Sequence, residues 1–218
     1  TAVLQQIIHR VAFPVYSRIQ NEGGDVPAAY RRVSFPMLVL GGWLLSGFIA
    51  GGPTMVEILY DDRWREAGWI VQLLAAGAWF SILDSTNGAA LLARGKSIWI
   101  AGGSLGKLVG MLALIPLGFL WGEFPGAVAG FACSEVLRFA VSAIAVWREG
   151  LRGWHHDLGL SLWVCGSSLG TWLIARWVQG LTGEPIVAAA AVFVAVTLLW
   201  LPLGLRSRQV RAVVAPTR

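Results

Sequence analysis

The sequence predicts an all-α, polytopic transmembrane helix bundle, on the evidence of its composition and the spacing of its charges. Hydrophobic residues make up 56% of the 218 residues, charged residues make up 13%, and the mean hydropathy is +0.65. Soluble domains carry a larger charged share. Here the charges form short clusters between apolar stretches of about 20 residues, the length of helix that crosses a bilayer. This arrangement excludes a large soluble core.

The apolar stretches define about six full spans and one partial helix at the N-terminus. The partial helix is the more polar segment, and Gly23 and Gly24 end it. Residues 53–60 are too few to cross and include Glu57, so we expect a short interfacial helix or turn there. Short connections make neighbouring spans antiparallel. The predicted segments are 1–20, 29–51, 66–94, 97–121, 125–148, 158–179 and 185–205.

The basic residues at the span ends predict the orientation. Alternation of the spans places eleven of them on one face and only Arg63 and Arg65 on the other. By the positive-inside rule the richer face is cytoplasmic, and it includes the C-terminus. Membrane topology therefore explains the net charge of +5, and we expect no nucleic-acid partner. The cytoplasmic set is Arg18, Arg31, Arg32, Arg94, Lys96, Arg148, Arg152, Arg206, Arg208, Arg211 and Arg218.

Five ionisable residues within the spans are the candidate site residues: Arg10, Asp84, Lys107, Glu135 and Arg138. Each costs about 2.5 to 3.5 kcal/mol at a helix centre unless it faces protein or water. Lys107 has no acid three or four residues away, so it needs a partner on another helix, a cavity water or a ligand anion. Lys107 is therefore the best single candidate.

The other charges have two interpretations each. Glu135 and Arg138 are three residues apart on one helix face, so they can pair with each other or line a polar cavity. Asp84 lies in a polar patch with Ser85 and Asn87, where interhelical hydrogen bonding is favoured over a role as proton carrier.

Motifs for catalysis are missing from the sequence. We find no pairing of a nucleophile with a base, no metal-ligand spacing and no nucleotide fingerprint. The adjacent His155 and His156 occupy a polar loop and are expected to be solvated, while Cys133 and Cys165 are interpreted as small buried hydrophobes. The sequence thus predicts a protein that is not an enzyme and uses no cofactor or metal.

Several stretches resemble one family. The first, FPVYSRIQ at residues 13–20, is followed by an acidic turn and by Tyr30 and Arg31 at the entry to the next helix. The second, at residues 53–75, joins Leu-Tyr to a Trp and then to Ala and Leu positions. The third, at residues 91–99, contains a Gly-Lys link between two helices. In this order they resemble the oligosaccharide flippases, the Wzx-type polysaccharide biosynthesis proteins of the multidrug/oligosaccharidyl-lipid/polysaccharide exporter superfamily. The resemblance covers most of residues 1–148.

The resemblance implies an architecture. Such transporters have two bundles of six helices around a central cavity, often followed by two further helices. Residues 1–150 would then be most of the second bundle, residues 151–206 the two additional helices and residues 207–218 a basic cytoplasmic tail. The chain starts at Thr1 within an apolar pattern and without a signal peptide, so we expect it to be the C-terminal part of a longer protein. Asp61 departs from the glycine that relatives often carry.

The resemblance also implies a function. The family moves polyprenyl-diphosphate-linked oligosaccharide repeat units across the bacterial cytoplasmic (inner) membrane, for surface polysaccharides such as O-antigen or exopolysaccharide. Expected partners are the bilayer, the lipid-linked glycan and the glycan polymerase or glycosyltransferases of the same pathway. By charge logic, Lys107 and Arg138 would meet the diphosphate during alternating access.

Three alternatives stay open at this point. A cation-coupled drug exporter of the same superfamily would use Asp84 or Glu135 as its coupling carboxylate. A membrane-embedded glycan polymerase or ligase is disfavoured, because such an enzyme usually carries a large external loop. A structural subunit would pair its charges internally, with Lys107 in contact with Asp84 or Glu135.

Overall fold

The computed structural model describes residues 16, 18, 26–60, 62–151 and 154–206. Every regular element within these ranges is helical, which confirms the all-α class. A short 3-10 helix, Asp62–Ala67, joins the first two α-helices. Of the predicted segment 1–20, only residues 16 and 18 are described, and both are helical. The α-helices are α1 (Val26–Leu59), α2 (Gly68–Ala93), α3 (Ser97–Arg148), α4 (Trp154–Thr182) and α5 (Pro185–Arg206).

Five helices in the described part of the chain are long and apolar enough to cross a membrane. Four of them carry one apolar stretch of about the length that spans a bilayer. The fifth, α3, has 52 residues and would be about 78 Å long if straight, more than twice the hydrocarbon thickness. The candidate spans are Val33–Leu59, Gly68–Ala93, Ser97–Arg148, Asp157–Thr182 and Pro185–Leu205.

Helix α3 is instead a hairpin. Its backbone leaves the helical conformation at Gly122 and Glu123, where Glu123 has a φ of 50°. The two halves, 97–121 and 124–148, then run antiparallel in direct backbone contact. A Cβ added at Gly118 would strike the backbone of Gly126, and one at Gly126 would strike that of Gly118. Only glycine allows two helices to approach this closely.

Helix α1 continues further than expected. The stretch 53–60, expected to be a separate interfacial helix or turn, forms the last two turns of α1 and ends at Leu59. Pro53 cannot donate a hydrogen bond to the carbonyl of Ile49, four residues earlier. The side chain of Gln72 on α2 does so instead, with Nε2 2.6 Å from the Ile49 oxygen. A donor from the neighbouring helix therefore lets α1 pass through the proline.

The helices pack around α1 and α2. Helix α1 contacts α2, α4 and α5, and α4 also contacts α5, whereas the α3 hairpin packs mainly against α2. Trp200 of α5 lies over Gly42 of α1 and is 2% exposed. Because Gly42 has no side chain, the Trp200 ring fits into the core. The hairpin is consequently the peripheral part of the described molecule.

Candidate functional site

Two ion pairs lie where the α3 hairpin meets α2. Lys107, in the first half of the hairpin, places its Nζ 2.5 Å from Oε1 of Glu135 in the second half. Arg138 places its Nε 2.8 Å from Oδ2 of Asp84 on α2. Lys107 follows Ser97, the first residue of α3, by ten residues, or about 15 Å of helix, so it lies near mid-span. Four of the five predicted site residues thus form one cluster.

The pairing is set by tertiary contacts rather than by sequence spacing. Glu135 and Arg138 share one helix, yet each has its ion pair with a residue elsewhere. Lys107 takes its partner from another helical segment, which is one of the three possibilities that its isolation in the sequence left open. The Glu135–Arg138 bridge that the sequence allowed is not among the ion pairs of the described residues, and the alternative, that these two residues line a polar cavity, stays a prediction. Arg10 lies outside the described residues.

The anions of this cluster are buried more deeply than the cations. The side chains of Glu135 and Asp84 are 9% and 10% exposed, against 23% for Lys107 and 27% for Arg138. Gly103 lies beside this pair, since a Cβ there would be in ordinary van der Waals contact with Cγ of Arg138 at 3.7 Å and Oδ1 of Asp84 at 4.0 Å. The cluster therefore directs positive charge toward its open side, with the compensating carboxylates behind.

The pairing leaves one carboxylate oxygen without a bond. Oε2 of Glu135 is buried and has no hydrogen-bond partner within the described structure. The ammonium group of Lys107 also lies 5.5 Å from the ring centre of Phe131, a favourable cation–π distance. The aromatic ring therefore adds to the stabilisation of the lysine charge that Glu135 provides.

A layer of neutral hydrogen bonds lies beside the charges, one turn further along α2. Asn87 accepts a 2.5 Å bond from the hydroxyl of Tyr30 on α1, and its Nδ2 lies 3.4 Å from Oγ of Ser142 on α3. Asn87 thus joins three helices, as expected for the polar patch, whereas among the described residues Ser85 bonds to the carbonyl of Ser81 in its own helix. Burial raises the pKa of the Tyr30 phenol well above its ordinary value, so the hydroxyl stays a donor.

Sequence reasoning missed two residues that shape this region. Gln72 supports the backbone of α1, and Ser142 completes the Asn87 layer. Each is a lone polar residue in an apolar span, a signal that could have identified both. The two cysteines, expected to be buried, are exposed on the helix surfaces and are free thiols.

Apolar spanning helices with a charged cluster between them define the class, a multi-pass α-helical membrane protein. Residues 1–68 match the family model described as Polysaccharide biosynthesis protein. The chain is also 23% identical over 94 residues to the teichuronic acid biosynthesis protein TuaB of Bacillus subtilis (strain 168). That alignment covers 43% of this chain and 20% of TuaB. No solved structure matches. These similarities confirm the resemblance to polysaccharide biosynthesis proteins.

Proposed function

We propose that this chain is part of a transporter that moves polyprenyl-diphosphate-linked oligosaccharide units across the cytoplasmic membrane for surface polysaccharide synthesis. In this proposal the two halves of the α3 hairpin count as separate spans, which gives six spans after a partial N-terminal helix. Residues 1–150 supply most of the second transport bundle, and 151–206 supply two further helices. The basic ends and the tail 207–218 face the cytoplasm.

The observation that carries the proposal is the exposure of two cations at mid-span. Lys107 and Arg138 are about a quarter exposed, while their carboxylate partners are buried. A diphosphate carries more charge than either carboxylate and accepts hydrogen bonds from both cations at once. It can approach from the open side without displacing Glu135 or Asp84. The carboxylates keep the empty site neutral, which lowers the cost of holding two cations within the membrane.

A structural role is the second candidate, and the contact between Lys107 and Glu135 favours it. Under this alternative the ion pairs only hold the hairpin together. Replacing a buried ion pair by neutral residues is often harmless, whereas removing one partner leaves a buried charge uncompensated. Single and double neutral variants therefore separate the two roles.

The test is glycan export by the full-length protein in cells that depend on it. Lys107→Met alone is expected to fail under either role. Lys107→Met combined with Glu135→Gln restores the neutral balance, and we expect the variant to be present in the membrane at normal abundance but to export less than about a tenth of the wild-type glycan, the loss of one charge-assisted contact. Full export by this double variant would assign the pair to structure alone.

The exposed cation Lys96 is the matched control. Its Nζ lies 3.3 Å from Oε1 of Glu149 in the connection between helices, and its side chain is 48% exposed. Lys96→Met also removes one positive charge, so export should stay at the wild-type level. Export of lipophilic drugs, driven by an ion gradient and indifferent to the polyprenyl lipid, would favour the drug-exporter alternative instead.

A further inference from the structure

A cleft runs between α2 and α4 on the surface of the bundle. Its volume is about 780 Å³, within the range of pockets that hold small ligands. Cys165 and Leu169 of α4 line the cleft and are exposed, so it is open on one side. We call it the α2–α4 cleft. All of its lining residues are uncharged, and the main ones are Trp69, Phe80, Ser161, Cys165, Ser168 and Trp172.

The cleft has the length of one leaflet of the bilayer. On α2 it extends from Trp69 to Phe80, a rise of about 16 Å, whereas the whole hydrocarbon core is about 30 Å thick. Trp69 is the second residue of α2, so the cleft begins at a helix end. The end of α4 lies at the same end of the bundle, because Gln179 donates a hydrogen bond to Glu57, near the end of α1. The α2–α4 cleft therefore starts near one membrane surface and ends near mid-span, the course of a lipid acyl chain.

One polar side chain of the cleft lacks a hydrogen-bond partner. Ser168 is 4% exposed, and its Oγ is buried without a partner in the part of the chain that the structure describes. Two other polar side chains of the cleft are bonded: Gln72 donates to the carbonyl of Ile49, and Ser161 accepts from the indole of Trp79. A buried hydroxyl without a partner is costly. Ser168 therefore favours a ligand that brings a hydrogen-bond acceptor into the cleft.

A cation lies beside the cleft at its surface end. The guanidinium of Arg176 is 5.1 Å from the ring centre of Trp172, which lines the cleft. Arg176 lies three residues before the end of the predicted span 158–179, close to the lipid headgroups. Ser168 lies one helical turn further into the cleft than Trp172, and the ester groups of a phospholipid follow its phosphate in this direction. A phosphate, an ester carbonyl and an acyl chain thus match the cation, the hydroxyl and the apolar walls in order.

We propose that the α2–α4 cleft binds an anionic phospholipid of the bilayer. The phosphate accepts a charge-assisted hydrogen bond from Arg176, an ester carbonyl accepts one from Ser168, and one acyl chain lies along the cleft toward Phe80. A positive charge beside an otherwise uncharged cleft favours a lipid with net negative charge over a zwitterionic one. The site is separate from the charged cluster between α2 and α3, and it does not depend on the transport proposal.

Protection of Cys165 from alkylation measures the occupancy of the cleft. Cys133 of α3 is also an exposed free thiol but does not line the cleft, so it is the internal reference. The purified full-length protein in detergent receives phosphatidylglycerol or phosphatidylcholine with identical acyl chains, and peptide mass spectrometry follows the reaction of each thiol with N-ethylmaleimide. We expect phosphatidylglycerol to protect Cys165 at about a tenfold lower concentration than phosphatidylcholine, the effect of one charge-assisted hydrogen bond. Equal protection by the two lipids, absence of protection, or equal protection of Cys133 would overturn the proposal.

Three variants locate the parts of the lipid. Arg176→Gln should reduce the preference for phosphatidylglycerol to about twofold or less, because the amide carries no charge. Arg148→Gln is the matched control, since Arg148 also lies over a tryptophan ring, 5.6 Å from the ring centre of Trp99, but at the opposite end of α2, and it should keep the tenfold preference. Ser168→Ala should weaken the binding of both lipids about fivefold and leave their ratio unchanged. A preference that survives in Arg176→Gln or disappears in Arg148→Gln, or unchanged binding in Ser168→Ala, would show that the lipid binds elsewhere.

Discussion

The two interfaces on either side of the bundle are held by different chemistry. The α3 hairpin meets α2 through the ion pair between Arg138 and Asp84 at 2.8 Å, and a second ion pair, between Lys107 and Glu135, joins the two halves of the hairpin. On the other side, α1, α4 and α5 meet mainly through neutral groups, apart from one bond near the helix ends that Gln179 of α4 donates to the carboxylate of Glu57 on α1 at 3.2 Å. The hydroxyl of Ser167 on α4 lies 3.1 Å from that of Ser46 on α1 and accepts a bond from the indole of Trp200 on α5.

The difference assigns a different task to each interface. Neutral hydrogen bonds between membrane helices contribute about 0.6 kcal/mol each, and no anion competes for them. An ion pair responds to any charge that approaches it, because a second anion shares the cation. Under the proposed function, the hairpin interface is where a charged ligand changes helix contacts, while the interface of α1, α4 and α5 stays fixed.

The largest expected effect is on the charged interface. Arg138→Met leaves the carboxylate of Asp84 buried without its cation, so the free energy of unfolding should fall by about 3 to 5 kcal/mol. Unfolding of the purified protein in mixed detergent micelles, followed by circular dichroism, measures this loss. Adding Asp84→Asn to the variant removes the uncompensated charge and should restore most of the stability. If the double variant were as unstable as the single one, the loss of stability would come from the lost Arg138–Asp84 contact itself and not from the uncompensated charge of Asp84.

The next effect concerns the backbone contact within the hairpin. In Gly126→Ala the new methyl group meets the backbone of Gly118, so the two halves must separate, at a cost of about 1 to 3 kcal/mol. Gly166→Ala on α4 is the matched control, because a Cβ there has no atom within 4 Å. The control should be neutral or stabilising by up to about 1 kcal/mol, through helix propensity alone. Equal stability of the two variants would contradict the close packing of the hairpin.

The comparison also separates what the sequence predicts from what it does not. Apolar length predicts the helices well, because the bilayer fixes how many residues a span needs. Apolar length does not predict that α1 continues through residues 53–60. The hydrogen bond that replaces the one lost at Pro53 comes from the side chain of Gln72 on a different helix. The site shows the same division. The sequence identifies Asp84, Lys107, Glu135 and Arg138 as costly and therefore significant, but spacing along one helix does not determine which charge meets which.

A smaller effect is expected at the neutral interface. Ser167→Ala removes the bonds to Ser46 and Trp200, and the free energy of unfolding should fall by about 1 kcal/mol, from two bonds of the usual strength in membranes. Ser104→Ala, at an exposed position of α3, should change it by less than about 0.5 kcal/mol. Both variants should keep full export, because neither changes the charged cluster. Loss of export in Ser167→Ala would mean that the interface of α1, α4 and α5 also changes during transport.

The smallest expected change in the free energy of unfolding is at an exposed ion pair, and its response to salt distinguishes it from the buried pair. Lys96 and Glu149 form an ion pair at 3.3 Å in the connections at one end of the bundle, with the lysine side chain about half exposed. Water and salt screen such a pair, so Lys96→Ala should lower stability by less than about 0.5 kcal/mol, and 1 M salt should abolish the difference. The loss in Arg138→Met should persist at the same salt concentration, because Asp84 is buried. If salt removed both losses equally, the hairpin pair would be as accessible to solvent as the surface pair, and the contrast between the two interfaces would fail.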